Sequence, residues 1–75
     1  VDAIFENSNN QWAAIEVKLG ANQIDEAAEN LLKFRRKIDT DYYGEPAFMA
    51  VVTATGSAYL REDGIYVTPI SSLGP

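Results

Sequence analysis

The sequence predicts an α/β fold: a mixed sheet of about five short strands crossed by one helix. Three observations lead there. Apolar residues alternate or run unbroken over short stretches bounded by turn formers, which is the pattern of strands. Between Asn22 and Ile38 the period changes from two to three or four, which is the pattern of a helix with one buried stripe. The order strand, helix, strand then makes a crossover unit, whose two strands lie parallel with a right-handed connection.

Residues 1–6 read as the first strand, and Asn7-Ser8-Asn9-Asn10 as the turn that leads into a second, more apolar strand over residues 12–19. The two form a hairpin. In the helix, Ile24, Ala27, Ala28, Leu31, Phe34 or Arg35, and Ile38 follow the i, i+3, i+4, i+7 rule. Asn22 is the expected N-cap, with Asp25 three residues on. Asp25, Glu26 and Glu29 occupy the early turns and Lys33, Arg35, Arg36 and Lys37 the last ones, so the charges complement the helix dipole. Residues 39–46 read as a polar loop punctuated by Gly44 and Pro46. The unbroken apolar run 47–53 suits a strand buried on both faces. Residues 57–60 and 65–68 are the last two strands, joined through Arg61-Glu62-Asp63-Gly64, whose Asp-Gly pair signals a hairpin.

Counting faces adds an expectation. The second strand is apolar on its Ala13, Ile15, Val17, Leu19 side and carries Trp12 and Ala14 on the other, and the strand at 47–53 is apolar on both sides. One helix covers one face of a sheet, so the other face calls for a cover, either an upstream helix or a second chain.

Composition narrows the chemistry. The chain contains neither cysteine nor histidine, which removes disulfides, thiol nucleophiles, imidazole acid–base catalysis and most zinc sites. Catalysis is left to carboxylates, lysines, hydroxyls or a bound metal. No apolar run approaches the roughly 20 residues that span a bilayer, and the acidic start Val1-Asp2-Ala3 is not a signal peptide, so a cytoplasmic domain with no membrane partner is expected. The chain opens in a strand-like run without methionine, from which we expect the natural protein to extend upstream. Its net charge of −5 opposes nucleic-acid binding through bulk electrostatics.

The candidate site is Asp2, Glu16, Val17 and Lys18. Glu16 and Lys18 stand two apart on one strand, so their side chains leave the same face. Asp2 joins them if opposed residues of the hairpin have numbers summing to 18, a register that leaves a three-residue loop at Ser8, Asn9 and Asn10. Asparagine tolerates the left-handed conformation such a loop needs. Opposed carboxylates about 4.5–5.5 Å apart at Cβ repel unless a cation lies between them. Two carboxylates, the Val17 carbonyl and water form the hard-oxygen set that magnesium prefers, with manganese as the alternative. Lys18 beside them is suited to orienting or deprotonating a water. The plainer reading is a same-face ion pair between Glu16 and Lys18 on an ordinary strand. Against it, Ala14-Ile15-Glu16-Val17-Lys18-Leu19 is apolar enough to be central in the sheet, where a charge is costly unless it has a task.

The stretch Val1-Asp2-Ala3-Ile4, followed by Trp12-Ala13-Ala14-Ile15-Glu16-Val17-Lys18-Leu19-Gly20, resembles the Asp…Glu-x-Lys hairpin of the PD-(D/E)xK nuclease superfamily. The helix Ile24-Asp25-Glu26-Ala27-Ala28-Glu29-Asn30-Leu31-Leu32-Lys33 and the ending Tyr59-Leu60-Arg61-Glu62-Asp63-Gly64-Ile65-Tyr66-Val67-Thr68-Pro69-Ile70 are similar to the C-terminal domain of bacterial and archaeal AAA+ ATPases. The resemblance implies that residues 1–75 are one restriction-endonuclease-like domain, cut from a larger ATPase and without the first helix of that fold. It puts Asp2 in the place of the metal-binding aspartate, Glu16 in that of the second acidic ligand and Lys18 in that of the catalytic lysine. The chain has no P-loop motif, so any ATPase activity belongs to an upstream domain of the same protein. The implied activity is magnesium-dependent phosphodiester hydrolysis on DNA or RNA. The alternative is an inactive recognition or oligomerisation module of the ATPase, with a homodimer formed through the uncovered sheet face.

Two other features have competing readings. Lys33, Arg35, Arg36 and Lys37 either meet a phosphate backbone or serve only the helix dipole. Tyr42 and Tyr43 either stack on bases or cap a core or an interface.

Overall fold

The computed structural model describes residues 2–38 and 40–73. Val1 and Asp39, the first residues of the expected first strand and polar loop, lie outside them. The elements in order are β1 (Ala3–Glu6), β2 (Trp12–Val17), a 3-10 turn (Ala21–Gln23), α1 (Ile24–Lys37), α2 (Thr40–Tyr43), β3 (Phe48–Thr53), β4 (Tyr59–Leu60), β5 (Tyr66–Pro69) and a closing 3-10 turn (Ile70–Ser72). The fold is α/β with one five-stranded mixed sheet in the order β1-β2-β3-β5-β4. The central pairs β2–β3 and β3–β5 are parallel, and the outer pairs β1–β2 and β4–β5 are antiparallel hairpins.

Both hairpins turn by the same device. In the first, Asn7 N–H bonds Gln11 O at 3.0 Å and Asn10 adopts φ 62°; in the second, Arg61 N–H bonds Ile65 O at 2.9 Å and Gly64 adopts φ 87°. Each is a three-residue loop whose last residue is left-handed, the conformation that asparagine and glycine tolerate best. Asn7 reinforces the first loop by accepting the N–H groups of Asn9 and Gln11 on its side-chain oxygen. The opposed residues Ala3 and Ile15, Ile4 and Ala14, Phe5 and Ala13, Glu6 and Trp12 all sum to 18, as the loop length requires.

α1 packs on one face of the sheet. Its Ala27, Ala28 and Leu31 meet Trp12 and Ala14 of β2, Met49 and Val51 of β3, and Val67 of β5, with Ile24, Leu32, Phe34 and Ile38 along the border of this core. Alanine at three of these positions, Ala14, Ala27 and Ala28, lets helix and sheet approach closely. The far face, formed by Ile15, Val52, Ala50, Phe48 and Tyr66, carries no helix among the described residues and is bordered by Ala47, Ala58 and, beyond the closing turn, Leu73.

The helix ends differ from the sequence expectation. Asn22 is not the N-cap: the chain enters α1 through the 3-10 turn, in which Gln23 N–H bonds Gly20 O at 3.1 Å, and the residue before the helix, Gln23, caps nothing with its side chain. Asn22 instead turns its side chain back over Gly20, where its Oδ1 would stand 2.8 Å from a Cβ on that glycine. At the other end Ile38 is already extended, its N–H bonding Phe34 O and Arg35 O. The segment expected as a plain loop contains the single turn α2, closed by Gly44 N–H on Thr40 O at 2.8 Å, with Gly44 itself at φ 78°.

Candidate functional site

Glu16 follows Trp12 and Ala14 on the face of β2 that the helix covers, and it is only 5% exposed. Burial beneath the helix requires that the carboxylate be hydrogen bonded. Asn30, on the facing side of α1, donates its amide N–H to Glu16 Oε2 at 3.0 Å. Asn30 is the functional candidate that sequence reading overlooked. The signal was present, because Asn30 sits three residues after Ala27 and four before Phe34, on the helix stripe that meets the sheet.

Asp2 reaches the same end of β2 by a different route from the one expected. The register would pair it directly with Glu16, but the ladder slips there: Asp2 N–H bonds Ile15 O at 3.0 Å, one position out of step. The slip turns the side chain toward the strand edge, where Asp2 Oδ2 accepts Val17 N–H at 2.7 Å. Val17 is exposed because its side chain is on the uncovered face, while its backbone groups point toward β1. Lys18 follows, half-buried, its N–H held by Val52 O of β3 at 2.9 Å. Among the described residues Lys18 takes part in no ion pair, so the plain reading of a Glu16–Lys18 pair is not what the side chains form.

Hard oxygen donors thus gather at one end of β2. Each carboxylate has one oxygen fixed by an N–H donor, from Val17 for Asp2 and from Asn30 for Glu16. Among the described residues no cluster of three histidine, cysteine, aspartate or glutamate side chains could hold a metal. Magnesium is commonly held by one or two carboxylates and keeps several waters, and Asp2 and Glu16 are the carboxylates at this end of β2 that could offer it oxygen.

The other candidates divide. Lys33 pairs with Glu29 one turn earlier at 3.6 Å and Arg35 with Glu45, so two of the four helix cations are already matched to carboxylates. Tyr42 and Tyr43 contact each other edge to face at 4.8 Å. Tyr43 borders a recess of about 210 Å³ with Ile4, Trp12, Phe34 and Ile38, which places it at the rim of the core.

A family model for a domain of unknown function, DUF4143, matches residues 1–73. The chain belongs to the DUF4143 family. No curated protein and no solved structure matches it. The family match covers Asp2, Glu16, Val17, Lys18 and Asn30 alike, so the whole candidate site belongs to the DUF4143 domain. None of the described helices of this DUF4143 domain is long and apolar enough to cross a membrane.

Proposed function

We infer that this DUF4143 domain is a restriction-endonuclease-like module that hydrolyses phosphodiesters in nucleic acid with magnesium, working beside an AAA+ ATPase domain of the same protein. The observation that supports this most is the pairing of Asp2 with the strand that carries Glu16 and Lys18: its carboxylate is 2.7 Å from Val17 N, one residue from Glu16. The order of an antiparallel hairpin, a crossover helix and a parallel third strand agrees with such a core.

In this reading Asp2, Glu16 and the Val17 carbonyl hold the ion. Magnesium, when bound, polarises a phosphoryl oxygen and acidifies a water. Asn30 fixes the rotamer of Glu16, and the amide of Val17 fixes that of Asp2. Lys18 supplies a positive charge that orients the water and offsets charge developing on the phosphate. Tethering to an ATPase offsets the weak attraction of a −5 domain for nucleic acid by raising its effective concentration on the strand.

Calorimetric titration of manganese, with cleavage assays on single- and double-stranded DNA and RNA, tests this. Glu16→Gln should abolish saturable manganese binding, because a neutral amide replaces one of the two carboxylates that hold the ion. Lys18→Met should keep metal binding and lower cleavage by about a hundredfold or more. Saturable manganese binding with no cleavage of any of the four substrates would turn the reading to a recognition module, and no binding at all would remove the metal site.

A further inference from the structure

The face of the sheet opposite α1 carries no helix among the described residues. The strand positions pointing to it are Ala3 and Phe5 in β1, Ala13, Ile15 and Val17 in β2, Phe48, Ala50 and Val52 in β3, Leu60 in β4, and Tyr66 and Thr68 in β5; none of them is charged. Phe5, Val17, Phe48, Leu60 and Tyr66, with Leu73 at the border, are each between 43% and 58% exposed. At roughly 200 Å² for a large apolar side chain, they leave on the order of 500 Å² of apolar surface in water, near the upper end of what a monomer displays.

We propose that a second copy of this chain covers this face in a two-fold, sheet-on-sheet dimer. Area is the first reason. A stable interface buries about 800 Å² on each partner, and a homodimer interface is about 65% apolar, which calls for roughly the apolar area this face presents. Charge is the second. The chain carries −5, yet no strand residue on this face is charged, so two acidic copies can meet here without bringing carboxylates together.

Shape is the third reason. Over β3, β5 and β4 the face sinks into a shallow hollow of about 680 Å³ whose lining includes Ala47, Ala50 and Ala58. Over β1 and β2 it carries Phe5 and Val17, which lie outside that hollow. A two-fold axis can set the exposed Phe5 and Val17 of each copy over the hollow of its partner. Stacked sheets separate by about 10 Å at about −30°, a spacing that side chains of this size fill.

Sedimentation of the full chain between roughly 1 and 200 µM tests the proposal, with melting followed over the same range. The expected result is a dimer whose melting temperature rises with concentration. Tyr66→Lys and, separately, Leu60→Lys should weaken it by about a hundredfold, because each sets a charge against its counterpart in a desolvated interface. Both side chains are half exposed, so the variants keep the core, and circular dichroism at the lowest concentration checks this. Glu26→Lys, on the exposed side of α1, should leave the dimer intact. A wild-type monomer across the range overturns the proposal, as does a dimer that neither Tyr66→Lys nor Leu60→Lys weakens.

Discussion

Asn30 and Glu16 are coupled because a carboxylate beneath a helix must find a donor. Removing the Asn30 hydrogen bond by Asn30→Ala should cost about 1 kcal/mol in urea denaturation, the usual contribution of a single hydrogen bond. Glu16→Gln should cost less, since its amide oxygen still accepts from Asn30, and this separates a loss of metal binding from a loss of folding. Backbone conformation gives a second residue-scale prediction. Gly64, at φ 87°, should lose about 1–2 kcal/mol on substitution by alanine, whereas Asn10→Gly in the equivalent place of the other loop should be neutral or stabilising. Thermal melts of the two variants check the opposite signs. The register that brings Asp2 to the end of β2 was legible from loop arithmetic alone. Its slip was not, because nothing in Val1-Asp2-Ala3 distinguishes a paired aspartate from one that turns to accept a backbone amide. Asn30 was hidden for a related reason: a polar residue on an apolar helix stripe gains meaning only when the facing strand is known to bring a carboxylate there.

Among the elements, the link between α1 and the β4–β5 hairpin depends on Arg61. Its guanidinium meets Asp25 in the first turn of α1 at 2.5 Å and Asp63 in its own loop at 3.2 Å. The hydrogen bonds that Arg61 donates to Asp25 and then to Asp63 raise its pKa, so it remains charged at any practical pH. For Asp63 burial acts to raise the carboxyl, but the Arg61 hydrogen bond and the Ile65 N–H outweigh it and the net shift is downward. A carboxyl lowered in the folded state contributes stability that is present above its unfolded value, about 3.9, and is lost as pH falls through the folded value. The melting temperature should therefore fall between pH 6 and pH 3, and Arg61→Met should make that fall smaller while lowering the pH 6 value. Elements with a clear period were read correctly in type and order, because two-residue and 3.6-residue repeats persist over enough positions to be counted. The turns at Ala21–Gln23 and Thr40–Tyr43 were not, since three or four residues are too few to display a period. The same shortness misplaced the N-cap, because Asn22 has the right chemistry one residue too early.

At the scale of the whole molecule, a 75-residue chain with its core on one side of a sheet has little stability to spare. At about 0.05–0.15 kcal/mol per residue the total is about 4–11 kcal/mol. Leu31 is fully buried at the centre of the helix–sheet contact, and Leu31→Ala should cost about 2–5 kcal/mol, enough to leave much of the protein unfolded at 37 °C. Circular dichroism against temperature and urea measures this directly. Face counting read the uncovered side of the sheet from the sequence, since it depends only on alternation and the number of helices. The hollow over β3, β5 and β4 was beyond the sequence, because it arises from strand order and register.

Trp12 is the only tryptophan in the chain. Its ring is buried against Phe34 at 6.2 Å, and its Nε1–H donates to Gly44 O at 2.8 Å, on the connection between α2 and β3. The molecule therefore has a built-in optical reporter whose emission should be blue in the native state and move to the red when that connection lifts from the sheet. Red emission that precedes the loss of helical circular dichroism would mark the connection as the first part of the fold to open, before α1 leaves the strands.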